Sequence, residues 1–132
     1  MIKVKVYYED TDAGGVVYYA NYLKYFERVR TEYFRQAGLD AGDLLKKGIT
    51  FVVVRTEINY KRPAQLYDTL NITCSISEIT GASFWVNYTI TREDGTLIVT
   101  GRTKMACVSP QRKLLRLTDE MIVKLTRGNS IH

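Results

Sequence analysis

Apolar and polar residues alternate from Ile2 to Tyr8, with Ile2, Val4, Val6 and Tyr8 on one side and Lys3, Lys5 and Tyr7 on the other. A period of two predicts a short strand with one buried face. The period then changes. Tyr22, Phe26, Val29, Tyr33 and Ala37 recur at helical spacing, widened by Leu23, Tyr25 and Phe34, with Lys24, Arg28, Glu32 and Arg35 on much of the remainder. This predicts an amphipathic helix from Tyr19 or Asn21 to Ala37, ended by Gly38 in the position a left-handed residue usually takes. A stripe this aromatic belongs in a core.

Asp40 to Lys47 reads as a second, short helix closed by Gly48. Four strand patterns follow. Ile49 to Tyr60 opens with the continuous run Phe51-Val52-Val53-Val54. Tyr67 to Ile79 sets Leu70, Ile72, Cys74 and Ile76 against Asn71, Thr73, Ser75 and Ser77. Ser83 to Arg92 alternates Phe84, Val86, Tyr88 and Ile90 with Trp85, Asn87, Thr89 and Thr91, and Leu97 to Ser109 is the fourth. Thr80-Gly81-Ala82 and Glu93-Asp94-Gly95-Thr96 have the character of tight hairpin links, so the four strands are expected as an antiparallel meander. Asp119 to Arg127 predicts a terminal helix with Thr118 as its N-cap and a fraying tail. Strands of about 12 residues span roughly 40 Å, long enough for a twisted sheet to curl round one helix. The expected class is α+β, one domain over residues 1–132, with the hydroxyl-rich sheet face and the edge strands meeting water or another subunit.

Between the first strand and the long helix lies Tyr8-Glu9-Asp10-Thr11-Asp12-Ala13-Gly14-Gly15-Val16-Val17-Tyr18-Tyr19-Ala20-Asn21-Tyr22. Carboxylates, flexible backbone and then a helix start put an acid beside unpaired N–H groups at the positive end of a helix. That combination suits a carbonyl oxygen turning into an oxyanion. An ordinary loop whose acids cap the helix would show the same residues.

Composition narrows the chemistry. The only histidine is His132, so neither a Ser-His-Asp or Cys-His unit nor a His-rich zinc site can be assembled within the chain. No metal site is expected. Catalysis must rest on carboxylates, tyrosines, hydroxyls, lysines and backbone N–H groups. Cys74 and Cys107 fall within strand patterns and read as reduced core residues. No apolar run approaches the ~18 residues of a membrane span, and the start lacks a secretory pattern, so a cytoplasmic protein without stable membrane insertion is expected. The net charge of +5 is concentrated in residues 101–132, which carry 7 basic and 2 acidic side chains. Such an excess suits nucleic acid, an acidic protein or a phosphorylated small molecule. Nucleic acid is not expected, because the cations are not interleaved with aromatics along one strand pair as a stacking platform needs.

The Tyr8 to Tyr22 motif, followed by Phe26-Glu27-Arg28-Val29-Arg30, resembles the hotdog-fold acyl-CoA thioesterases, in the branch of 4-hydroxybenzoyl-CoA thioesterase and the tol-pal-associated acyl-CoA thioesterases. Weaker echoes are Asn59-Tyr60-Lys61-Arg62-Pro63-Ala64 and Asp68. The resemblance implies a hotdog fold, a long central helix wrapped by a curved, mainly antiparallel five-stranded sheet. It implies hydrolysis of acyl-CoA to free acid and CoA, without a cofactor, since the CoA thioester is the substrate. It makes Asp12 the catalytic acid, as nucleophile or general base, and Tyr19 the backbone N–H of the oxyanion site. Tyr18, Lys61, Arg62 and Ser83 are the implied substrate or CoA contacts. Homo-oligomers, a dimer of dimers, are implied, and an acyl carrier protein is an alternative carrier of the thioester. Where many tol-pal-associated members carry His, this chain has Tyr19, and a tyrosine of ordinary pKa about 10 is no base at neutral pH. A basic cluster of the 4-hydroxybenzoyl branch is replaced by Thr80-Gly81-Ala82-Ser83, leaving Lys61, Arg62, Lys104 or the C-terminal cations for nucleotide phosphates. Glu27 is a rival carboxylate, against which stands its expected pairing with Arg30 at i, i+3. Glu9 and Asp10 read as surface or capping acids. A non-catalytic acyl-CoA or acyl-carrier binding module of the same fold is the alternative function; a dehydratase is disfavoured by the missing internal histidine.

Overall fold

The computed structural model describes residues 1–128. His132 and the expected fraying tail lie outside them. The elements run β1 (Ile2–Lys5), a 3-10 turn (Tyr8–Asp10), α1 (Asn21–Gln36), α2 (Ala41–Lys46), β2 (Thr50–Tyr60), β3 (Thr69–Thr80), β4 (Ser83–Arg92), β5 (Leu97–Val108) and α3 (Asp119–Gly128). Apart from the 3-10 turn, which the sequence did not predict, each sits within a few residues of where periodicity placed it, and together they make the hotdog arrangement of one long helix against a five-stranded antiparallel sheet.

The order across the sheet is β1-β3-β4-β5-β2, which corrects the expected four-strand meander. Only β3, β4 and β5 follow one another. The 61–68 connector explains the crossing. Lys61 and Arg62 donate their N–H groups to Ile98 O at the head of β5, the Arg92 guanidinium of β4 reaches Pro63 O at 2.7 Å, and the chain then enters β3. It passes the ends of two strands, and its Arg92–Asp68 ion pair at 3.0 Å ties it down. β2 therefore forms an edge, exposing Val53 and Val54 beside a register shift between Val53 and Arg55. β1 is shorter than expected, because its partner strand begins at Thr69, opposite Lys5.

α1 buries Tyr22, Tyr25, Phe26, Val29, Tyr33 and Phe34. Leu23, expected in the stripe, is instead 44% exposed, one step off the buried arc. Against this face the sheet presents Leu70, Ile72, Phe84, Val86, Tyr88 and Ile90, all buried. Phe26 stacks on Tyr88 with centroids 4.1 Å apart, and Gly101 beneath leaves the room: a Cβ there would come within 2.7 Å of the Phe26 ring. At the far end Phe34, Phe51 and Phe84 meet edge to face. α1 stops as expected, Gly38 taking φ +85 while Leu39 N–H returns to Phe34 O at 2.7 Å. Thr118 caps α3 through Met121 N–H at 3.1 Å.

The outward sheet face is less purely hydroxylic than its sequence suggests. Arg102 lies over the Trp85 ring at 3.9 Å and pairs with Glu57 and Glu78. Cys74 and Cys107 are free and buried, and burial pushes the Cys74 thiol up to about 12. Both are inert core residues at neutral pH.

Candidate active site

The motif loop folds back on itself. Tyr18 N–H donates to Asp10 O at 2.9 Å, Thr11 bridges Val17, and Asp12 N–H donates to Val16 O at 2.9 Å. A turn through Ala13, Gly14 and Gly15 joins the two arms, closed by Gly15 N–H to Asp12 O at 3.0 Å. Gly15 sits at φ +78, a backbone that L side chains rarely adopt. At the tip the Asp12 carboxylate is exposed. Its Oδ1 accepts from Gly14 N–H at 2.8 Å, an Asx turn that fixes the side chain, while Oδ2 has no partner among the described residues.

The other arm runs straight into α1. Asn21 N–H donates to Tyr18 O at 2.9 Å, and the Tyr22 and Leu23 N–H groups reach back to Tyr19 O and Ala20 O at 3.4 and 3.2 Å. The first turn is thereby prolonged to Tyr18 with 3-10 spacing. Ala20 at the N-cap has no side-chain oxygen to offer, and no other side chain caps the helix. The N–H groups of Tyr19 and Ala20 are left without an acceptor among the described residues. Two residues of extended chain, about 7 Å, separate the level of Asp12 from that of the Asp10 and Tyr18 pair. A fixed carboxylate and an open helix start thus occupy one small hairpin.

The 61–68 connector braces it. Val17 N–H donates to Ala64 O at 2.8 Å, Leu66 N–H reaches Gly15 O at 3.3 Å, and Val16 bridges Gln65. The buried Tyr22 hydroxyl accepts from Ala64 N–H at 3.2 Å. Lys61 and Arg62 are exposed at the start of the same segment, tied by their N–H groups to Ile98 O of β5 and not to the Asp12 loop itself. Tyr18, Tyr19 and Tyr60 cluster above the helix start, with centroids 4.7 Å apart for the first pair and 6.4 Å for Tyr19 and Tyr60. Burial pushes the hydroxyls of Tyr22, Tyr25 and Tyr60 above the ordinary tyrosine value, which keeps them protonated at neutral pH.

Ser83 is not brought to this place within one chain. It starts β4 beside Thr80, at the sheet end that holds Phe84 and the C-terminal half of α1, a helix length of about 24 Å away. Lys104 lies mid-strand on β5, paired with Trp85. Glu27 is exposed, and its expected pairing with Arg30 does not form. Arg30 turns inward instead, its Nη1 3.4 Å from the Tyr88 hydroxyl. Glu27 stands on the wall of an apolar groove of about 440 Å³ lined by Phe34, Leu44, Phe51, Val53 and Met105.

Asp10 caps the 3-10 turn and not α1, accepting from Tyr7 N–H at 2.9 Å. What the sequence reading missed is its backbone: Asp10 O also accepts from Asn21 Nδ2 at 2.8 Å. A short polar side chain in the first turn of an otherwise uncapped helix was the available signal. Among the described residues no cluster of His, Cys, Asp and Glu could hold a metal ion, and no helix is long and apolar enough to cross a membrane.

The model of a thioesterase-like superfamily matches residues 6–125 of the chain. The chain is 38% identical over 120 residues to the acyl-CoA thioester hydrolase YbgC of Escherichia coli, covering 91% of this chain and 90% of that protein. It is 45% identical over 107 residues to the acyl-CoA thioesterase YbgC of Haemophilus influenzae, covering 80% and 77%. Among solved structures, a probable thioesterase from Bartonella henselae superposes with a TM-score of 0.81 at 38% identity, over 89% of this chain and 97% of that one.

Proposed function

The chain belongs to the thioesterase-like superfamily and is a thioester hydrolase, and from that premise we propose that its substrates are acyl-CoAs and that Asp12 carries the reaction. The observation behind the assignment is the pairing, on one hairpin, of an exposed carboxylate locked by Gly14 N–H with the acceptor-free N–H of Tyr19 at a helix start. The thioester carbonyl oxygen accepts from Tyr19 N–H, where the helix dipole favours the growing negative charge. Asp12 either attacks the carbonyl carbon, giving a mixed anhydride that water then opens, or takes a proton from the attacking water. CoA leaves as thiolate without a strong general acid, since a thiol ionises with a reference pKa of about 8.5. No cofactor enters.

Lys61 and Arg62, exposed on the segment that leads to the loop's brace at residues 64–66, are the cations we assign to the CoA phosphates, and Tyr18 the ring beside the acyl carbonyl. Ser83 lies far from Asp12 in its own chain, so its contact with substrate requires a second subunit. The exposed β2 edge, with Val53 and Val54, is the surface on which we place that subunit, in a homo-oligomer built as a dimer of dimers. The reduced cysteines fit a cytoplasmic enzyme.

The test is release of free thiol from benzoyl-, short-chain and long-chain acyl-CoAs by the parent protein and Asp12→Ala. Turnover by the parent with a fall of about 100-fold or more in the variant is expected. Two equally inert proteins that both bind acyl-CoA would replace the enzyme by a binding module.

A further inference from the structure

Resting on the site proposed above, we infer that Asn21 is a positioning residue that locks the oxyanion peptide to the catalytic loop. The peptide unit joining Tyr18 to Tyr19 carries the N–H assigned to the thioester oxygen. Asn21 engages it directly through its backbone and indirectly, through Asp10, with its side chain. Its own N–H donates to Tyr18 O, the carbonyl of that same peptide unit, at 2.9 Å. Its side-chain Nδ2 donates at 2.8 Å to Asp10 O, which also accepts from Tyr18 N–H at 2.9 Å. Because the partner is a carbonyl oxygen, the amide must present its NH₂ and not its oxygen.

One carbonyl, two residues before Asp12, therefore collects both the strand preceding Tyr19 and the first residue of α1. The consequence is geometric. Rotation of the peptide about its flanking bonds would swing Tyr19 N–H away from the carbonyl it polarises, and such rotation breaks one of these contacts. Asp10 is itself held at its carboxylate by Tyr7 N–H at 2.9 Å, so the anchor point is fixed. Asn21 thus couples the two halves of the site without touching substrate.

Asn21→Leu keeps the side chain's shape and removes the donor; Asn21→Gln keeps an amide donor on a longer arm. Steady-state thioester hydrolysis is expected to show kcat lowered about 10- to 100-fold in Asn21→Leu with KM within about twofold, and part of kcat recovered in Asn21→Gln, as for a misplacement of about 1 Å. Amide exchange at Tyr18 should quicken in Asn21→Leu while the amides of central α1 keep their protection. That readout needs no catalysis. Unchanged kcat in Asn21→Leu, beside an inactive Asp12→Ala, would overturn the clamp and leave the proposed site standing. A general loss of protection through α1, with kcat and KM moving together, would overturn it in favour of a plain folding role. Full activity in Asp12→Ala would bring down the site itself, and the clamp's catalytic meaning with it.

Discussion

The two ends of α1 are treated in opposite ways. At the C-terminal end the chain is tied back on the helix: Gly38 turns left-handed, Leu39 N–H returns to Phe34 O, and Phe34, Phe51 and Phe84 close around it edge to face. At the N-terminal end Ala20 caps nothing, Tyr19 and Ala20 N–H have no acceptor among the described residues, and Tyr18, Tyr19 and Tyr60 remain exposed. An uncapped start forgoes about 1 kcal/mol that Ser, Thr, Asp or Asn at the N-cap would supply. Effort of the opposite kind is visible around it, in the Asx turn of Asp12, the Asn21 clamp and the docked connector. The open end is held rigidly from the sides while its donors stay free. That is the pattern of a preorganised site, in which local stability is given up where charge must develop.

The largest expected effect separates the ends by stability. Phe84 is fully buried and touches both other rings of its cluster, so Phe84→Ala should cost about 3–5 kcal/mol in urea unfolding, the range for aromatic truncation in a core. Activity per folded molecule should fall far less than in Asp12→Ala, because Phe84 points into the core and the lesion lies a helix length from Asp12 in its own chain. Asp12→Ala is the mirror image. Its carboxylate is exposed and makes one turn hydrogen bond, so unfolding should shift by no more than about 1 kcal/mol while hydrolysis collapses. A stability loss in Asp12→Ala as large as that in Phe84→Ala would erase the distinction.

The closed end was legible in the sequence and the open end only partly so. Periodicity and punctuation are local signals, and they located the α1 stripe, Gly38 and the Thr118 cap. The loop, too, was marked by its glycines and its place before a helix, but those signals left its carboxylates equal, and only the resemblance singled out Asp12. What escaped was non-local. Nothing within β2 says that its partner is β5, because the connector's path is decided by Ile98 and Arg92 on other strands. The i, i+3 rule proposed a Glu27 and Arg30 pair, and a tertiary hydroxyl on Tyr88 drew the arginine elsewhere. Leu23 fell just outside the buried arc, which packing, not spacing, determines. The Asn21 clamp joins a side chain to a carbonyl 11 residues away, a contact visible only once the hairpin is folded.

The smallest and sharpest test uses one kind of change at both ends. Gly15 and Gly38 sit at φ +78 and +85, in nearly the same strained backbone for an L residue. A Cβ on Gly15 would meet nothing within 4 Å, and one on Gly38 would come no closer than 3.6 Å to the Lys124 side chain. Alanine at either position therefore adds left-handed strain and no clash, costing about 1 kcal/mol each in denaturant unfolding. Equal thermodynamic damage should have unequal consequences. Strain in the Gly15 turn is relieved by opening the hairpin that fixes Asp12 against Val16, so kcat/KM should fall about tenfold in Gly15→Ala. Strain at Gly38 is relieved by fraying the last turn of α1, away from the site, and Gly38→Ala should hydrolyse acyl-CoA within about twofold of the parent. Equal activities for two variants of equal stability would mean that the hairpin tolerates movement. Preorganisation would then reside in the helix start alone.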